Sequence, residues 1–317
     1  MKNKILVTGV AGFVGSHLVD RLLAKGYQVV GVDNFNDYYD PKIKEENLKE
    51  ALKSAEFKLY RINILDFEKV LKIFKKEKPD KVLHLAARAG IRPSIMNPLL
   101  YGQVNVLGTV NLLKIAVESK IEQFIFGSSS SVYGESKQLP FTEDNPCENI
   151  ISPYGASKRS AEFSIETFYR NFGLKSVILR FFTVYGPRGR PDMAPALFAN
   201  AILRGKTINQ FGNGSTSRDY TYIDDITEGI IKSLASKSDF EIINLGNNHP
   251  VTLSEFIATL EKIIGKRAKV VILPKQSGDV QITWADINKA KKILDWQPKT
   301  QIKSGLGKYI QWLKKQI

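Results

Sequence analysis

Residues 4–15 read KILVTGVAGFVG. Ile5-Leu6-Val7 reads as a short buried strand, and Val14, Leu18 and Leu22, extended by Val19 and Leu23, fall at helical spacing just after it. Between them lie Gly9, Gly12 and Gly15, a GxxGxxG pattern at a strand-to-helix turn. Glycines there permit a tight bend, let backbone approach a pyrophosphate and let the helix pack on the sheet. The helix N-terminus adds free N–H groups and the positive end of its dipole. Val29-Val30-Gly31-Val32 is the next strand, and Asp33 closes it. A carboxylate at that place accepts from both ribose hydroxyls and repels a 2′-phosphate. No Arg follows it, so the pattern favours NAD over NADP.

The same alternation continues along the chain. Phe67, Val70, Leu71 and Phe74 make an apolar helix face that leaves Lys72, Lys75 and Lys76 to water. Strands are expected at 81–85, 124–126, 177–179 and 242–245, with helices over about 98–119, 252–264 and 304–316. The last buries Leu306, Tyr309, Ile310 and Leu313. Ser152-Pro153 reads as an N-cap with proline at the first helical position, opening a helix that ends at Gly173. Strands separated by helices imply parallel βαβ units. The expected fold is α/β: a Rossmann-type doubly wound parallel sheet with a smaller C-terminal substrate-binding lobe. Residues 1–182 and 220–246 are assigned to the first unit, 183–219 and 247–317 to the second.

Composition narrows the function. The 317 residues carry 46 Lys and Arg against 32 Asp and Glu, a net charge of +14. Lysines outnumber arginines 34 to 12 and are dispersed, unlike the arginine clusters of groove readers, so no nucleic-acid partner is expected. No apolar run has the ~18 residues of a membrane span, and the N-terminal run stops too soon for a signal peptide. A soluble cytoplasmic protein is expected. Cys147 is the only cysteine, and His17, His84 and His249 have no metal-ligand spacing, so no metal is expected.

Tyr154 and Lys158 stand at i, i+4 and share one helix face, continued by Ala161, Ile165, Phe168 and Phe172 toward the core. A phenol is a poor base near neutrality, and a neighbouring ammonium is expected to lower its pKa. Ser128-Ser129-Ser130-Ser131 lies at the C-terminal end of the preceding strand, where α/β proteins bind ligands.

Together the motifs TGVAGFVG (8–15), HLAA (84–87), SSSSVYG (128–134), SPYGASK (152–158) and RDYTYIDD (218–225) resemble the extended short-chain dehydrogenase/reductases, in their sugar-nucleotide epimerase/dehydratase branch. The resemblance covers essentially the whole chain. It implies that Ser129 and Tyr154 contact the reacting hydroxyl and that Lys158 holds the nicotinamide ribose. It further implies NAD contacts at Gly9, Gly12, Phe13, Val14, Gly15, Asp33, Asn34, Leu85, Ala86 and Ala87. Asn63-Ile64 stands where many members place Asp-Ile beside adenine. A homodimer through the helices at 98–119 and 153–172 is implied as well.

Within the branch, dehydratases carry Thr-Asp-Glu where this chain has Ser129, Ser130 and Ser131, and UDP-glucuronate decarboxylases keep a Glu at the position of Ser131. Without that acid the site is left with reversible oxidation. DNFNDYYDP (33–41), ARAGIRPS (87–94) and RFFTVYGPRGRPDMA (180–194) resemble the group that epimerises UDP-glucuronate at C4. The implied reaction converts UDP-glucuronate to UDP-galacturonate by C4 oxidation to a 4-keto sugar and hydride return to its opposite face. The alternative is 4-epimerisation of UDP-glucose or its N-acetylamino analogue, whose enzymes carry Asn where Thr183 stands. The resemblance places Thr183 and Arg190 on the uronate carboxylate, which a guanidinium binds bidentately. It places Arg218 on the UDP pyrophosphate with Tyr220 nearby, and Gln276 and Asp279 on the uridine side. Ser130 and Arg92 are further substrate candidates.

Overall fold

The computed structural model describes residues 4–274 and 279–316. The chain runs β1 (Lys4–Thr8), α1 (Phe13–Ala24), β2 (Gln28–Asp33), α2 (Pro41–Leu48), β3 (Phe57–Arg61), α3 (Phe67–Glu77) and β4 (Lys81–His84). Two short helices follow, α4 (Ile91–Met96) and α5 (Pro98–Tyr101), then a π-helical turn (Gly102–Leu107) that leads into α6 (Gly108–Glu118). Next come β5 (Gln123–Ser129), α7 (Pro153–Phe172), β6 (Ser176–Phe181), β7 (Thr183–Tyr185), α8 (Ala194–Leu203), β8 (Thr207–Phe211) and β9 (Ser217–Tyr222). The chain continues through α9 (Ile223–Ser233), β10 (Phe240–Leu245), β11 (Pro250–Thr252), α10 (Leu253–Ile264), β12 (Lys269–Leu273), α11 (Asn288–Leu294) and α12 (Ile302–Lys314).

Seven strands form one sheet in the order β10-β6-β5-β4-β1-β2-β3, every neighbour parallel. The β1 residues show why this strand has no polar face. Leu6 packs with Val70 and Phe74 of α3, Leu112 of α6 and Ile165 of α7. Ile5 and Val7 point the other way, to Leu18 and Leu22 of α1 and Ile226 and Ile230 of α9. A parallel strand covered on both sides reads as a continuous apolar run. The strand order reverses between β1 and β4, and a doubly wound sheet opens its ligand crevice at such a point.

After β6 the chain builds a three-stranded sheet, β11-β9-β7, and a two-stranded one, β12-β8. Phe198 of α8, Tyr220 of β9, Phe256 and Leu260 of α10, and Leu306 and Tyr309 of α12 close a third core around them.

Some local expectations need correction. The helix expected over 98–119 is present as one continuous helical run to Glu118, with a π-helical turn at Gly102–Leu107 that the spacing did not predict. Phe172 does not enter the core; it is exposed, because the last turn of α7 runs past the sheet edge. Strand β3 escaped the reading: Phe57-Lys58-Leu59-Tyr60-Arg61 is an edge strand, and its lysine and arginine mask its apolar positions. The Ser152 cap holds, with its hydroxyl accepting from the Gly155 amide, and Gly173 ends the helix in the left-handed conformation.

Candidate active site

The C-terminal ends of β1, β2, β4, β5 and β6 frame one cleft of about 560 Å³, within the range for small-molecule sites. The register makes this edge common to the strands: Thr8 pairs with both Val32 and His84, and Ser129 pairs with Phe181. Gly9 leaves β1 at φ 75°, and a Cβ there would lie 2.7 Å from the Ala86 amide nitrogen. A Cβ on Gly15 would lie 2.0 Å from the Gly9 carbonyl oxygen. The turn therefore exists only with glycines, and it brings the start of α1 to the cleft floor.

Asp33 sits at the end of β2, with Ala11 and Phe35 amides donating to its carboxylate at 3.0 and 2.8 Å. Burial pushes its carboxyl pKa up, and these two amides oppose the shift. Phe13, Val14, Asn34, Asn63, Ile64, Leu85, Ala86 and Ala87 line the same half of the cleft. Asn63 uses its side-chain oxygen to accept from the Leu65 amide at 3.0 Å, so it shapes its own turn. Glycine turn, helix N-terminus and buried ribose-facing carboxylate match the pyrophosphate and diol of NAD.

The other half carries the reactive groups. Ser129 ends β5, and Tyr154 and Lys158 lie on the first turns of α7. The Ser129 hydroxyl lies near the Tyr154 phenol and favours its phenolate, and it donates to the Ser131 hydroxyl at 3.2 Å. Lys158 is buried; its Nζ donates to the Gly127 carbonyl at 2.7 Å and lies 4.5 Å from the Phe126 ring centroid. Burial pushes its pKa down to about 7, with Glu162 pulling the other way.

One electrostatic expectation fails in this chain by itself. The Tyr154 pKa is raised, because burial outweighs the nearby Ser129 hydroxyl and the Arg190 charge that favour phenolate. Lys158 points its ammonium at a carbonyl and is itself hard to charge, so it does not lower the phenol's pKa.

Two supporting groups had no strong sequence signal. Ser128 donates to Glu162 Oε1 at 2.5 Å, and Glu162 takes the Arg180 fork at 3.0 and 2.8 Å. This ties the strand carrying Ser129 to the helix carrying Tyr154. Asn105, in the π-helical turn, accepts from the Arg88 amide at 2.8 Å and donates to the Arg88 carbonyl and the Ser157 hydroxyl, both at 2.9 Å. It fastens the loop after β4 to α7. A π turn often marks a functional site, but only the backbone reveals one.

The substrate candidates divide. Ser130, Thr183 and Arg218 line the cleft. Arg218 is partly buried and forms no ion pair among the described residues; desolvation lowers its pKa, and its Nη1 donates to the Ser217 carbonyl at 2.9 Å. Arg92 and Asp279 also line it, but they are paired with each other at 3.1 Å. Arg190 lines it beside Tyr38 and holds Asp192 in its fork. Tyr220 is not brought to the cleft: it is buried, stacked on Phe256 at 4.5 Å. Gln276 lies outside the described residues. Arg188 is paired with Asp20 at 2.7 Å, away from the lining.

The family model for GDP-mannose 4,6 dehydratase matches residues 6–309. The chain belongs to that family, within the extended short-chain dehydrogenase/reductases. The UDP-glucuronate 4-epimerase of Thermodesulfobacterium geofontis is 45% identical over 98% of this chain and 96% of its own. Among solved structures, the UDP-glucuronic acid 4-epimerase of Bacillus cereus, in complex with UDP-glucuronic acid and NAD, superposes with a TM-score of 0.93 at 38% identity. That match covers 99% of this chain and 100% of the other. The UDP-glucose 4-epimerase of Thermotoga maritima, with UDP-glucose, gives 0.92 at 34% identity, covering 99% of both chains. Just past the end of β5, Ser130 and Ser131 line the cleft and bring no carboxylate to it.

Proposed function

We propose that this protein is an NAD-dependent UDP-glucuronate 4-epimerase, an isomerase that interconverts UDP-glucuronate and UDP-galacturonate. The observation that carries this reading is the reaction centre itself. Ser129, Tyr154 and Lys158 stand beside Arg190, and Ser130 and Ser131, which follow Ser129, bring no carboxylate to them; the carboxylates that line the cleft are those of Asp33 at the end of β2, Asp192 and Asp279. Proton transfer at one hydroxyl is available; elimination is not. The relatives that act on UDP-glucuronate support the substrate.

Bound NAD would supply the acceptor, and later the donor, of a hydride at C4. Gly9, Gly12, Gly15, Asp33 and the residues lining their half of the cleft would hold it. Tyr154 would take the C4 hydroxyl proton and return it, with Ser129 aligning that hydroxyl. Lys158 would lie on the nicotinamide ribose, and its charge would favour phenolate once it donates there. Arg218 would neutralise the pyrophosphate, and Thr183 and Arg190 the carboxylate. A neutral hexose would bring no carboxylate to Thr183 and Arg190, and the relatives named above that act on UDP-glucuronate match at higher identity than the one that acts on UDP-glucose, so the UDP-glucose alternative is the weaker reading.

In this reading residues 1–182 and 220–246 hold NAD, and 183–219 and 247–317 hold the UDP-sugar. The protein works in the cytoplasm as a homodimer. Exposed Met96, Leu99, Leu107 and Phe163 on α4, α5, the π-helical turn and α7 support an interface there. Purified protein given UDP-glucuronate without added NAD should yield UDP-galacturonate. Protein shown to contain NAD that makes none would overturn the proposal.

A further inference from the structure

The fork of Arg190 is already filled. Asp192 Oδ1 accepts from Nε at 3.0 Å, and Oδ2 accepts from Nη2 at 2.6 Å. Nη2 also donates to the Tyr38 hydroxyl at 3.0 Å, and that hydroxyl donates to Asp192 Oδ2 at 3.0 Å. Only Nη1 is left for anything entering the cleft. A carboxylate that takes two points from Arg190 must displace either Asp192 from the Nε/Nη2 edge or Tyr38 from the second Nη2 hydrogen, and of the two Asp192 is the exposed one.

The chain holds a second arginine fork for comparison. Glu162 fills the fork of Arg180, and both side chains are about 1% exposed. That pair is a permanent part of the core. Arg190 is partly exposed at 16%, and Asp192 is 41% exposed and stands at the rim of the cleft. Its carboxylate can swing into water without leaving a buried charge of its own. Arg88 lines the same corner with its guanidinium 5.9 Å from the Tyr38 ring centroid, and it forms no ion pair among the described residues. The corner is thus built for one more negative charge than Asp192 supplies.

We propose that Asp192 is an exchangeable stand-in for the substrate carboxylate. It closes the Arg190 fork, yields it to the C6 carboxylate of a UDP-uronate, and takes it back when that sugar leaves. The inference rests on the uronate reading above. It makes Asp192 a specificity-determining residue that limits affinity for uronates. It also eases release, because both epimers carry the carboxylate and must free it at every turnover. Neutral hexoses do not compete for the fork.

The test uses the NAD-loaded enzyme and Asp192→Asn, which keeps the size of the side chain and removes its charge. UDP-glucuronate is followed by KM and by calorimetric Kd, with UDP, which has no carboxylate, as reference. The expected result is tighter UDP-glucuronate binding by about fivefold, close to ~1 kcal/mol, with UDP affinity unchanged. Weaker or unchanged UDP-glucuronate binding, or an equal shift for UDP, overturns the proposal by showing that Asp192 only positions Arg190. If that variant does not fold, Tyr38→Phe removes one donor to Asp192; a smaller gain in the same direction supports the exchange, and a loss overturns it. Wild-type protein that fails to convert UDP-glucuronate would overturn the proposed function alone, since the affinity ratio is still read by calorimetry.

Discussion

Replacing Arg180 by Met should be among the most damaging single changes in this protein. Arg180 and Glu162 are both about 1% exposed and share two hydrogen bonds, while Arg159 adds a third contact to Glu162 at 2.9 Å. Removing the guanidinium leaves a buried carboxylate held by Arg159 and the Ser128 hydroxyl alone. Breaking a buried pair from one side costs about 3–5 kcal/mol, and a few degrees of melting temperature per kcal/mol predict a fall of roughly 5–15 °C. The pH dependence gives the sign. In the native chain Arg180 holds the Glu162 pKa below its ordinary value against burial, so this pair's stabilisation is present at neutral pH and lost as pH falls through that lowered pKa. In Arg180→Met, burial dominates and the pKa rises, so the variant should regain part of its deficit between pH 7 and pH 5. Adding Glu162→Gln should recover part of the loss at pH 7. Urea melts at the two pH values measure all three effects. A deficit below about 1 kcal/mol, or one independent of pH and unrelieved by the second change, would refute the reasoning.

Tyr154→Phe should lower kcat by about 10²–10⁴ while leaving bound NAD in place, checked by turnover and by NAD released on denaturation. Gly15→Ala should abolish NAD retention, because its Cβ would fall 2.0 Å from the Gly9 carbonyl oxygen; full NAD content would contradict the turn's geometry. Arg218→Met should lose UDP affinity by calorimetry while NAD content stays unchanged; unchanged UDP affinity would contradict its place on the pyrophosphate. His84, buried between Thr8 and Thr109, has its pKa pushed down by burial to about 3. It stays neutral when folded but charges when unfolded, so stability is lost as pH falls from about 6.5 toward 3. His84→Gln should flatten that part of the acid melting curve.

Much of the fold and the reactive centre is written in local spacing. Gly9, Gly12 and Gly15 must follow one strand and open one helix, and Tyr154 and Lys158 need only share a helix face. Neighbours in sequence carry such information. The carboxylate partners are another matter. Asp279 on Arg92 and Glu162 on Arg180 depend on how loops, strands and helices meet, and although Asp192 is only two residues from Arg190, that spacing alone does not tell a paired arginine from a free one. Tyr220 shows the same limit: it is two residues from cleft-lining Arg218 on one strand, yet it is buried against Phe256 of α10, a neighbour that only the packing reveals. The raised pKa of Tyr154 came from burial, which a sequence does not display.

The central claim is that C4 loses a hydride and receives the same one back. The most direct measurement is NMR analysis of the product formed from UDP-glucuronate in D₂O without added NAD. The account predicts UDP-galacturonate with no deuterium at C4 or C5. Deuterium at C5, a decarboxylated or dehydrated sugar, or no product from NAD-loaded protein would contradict it.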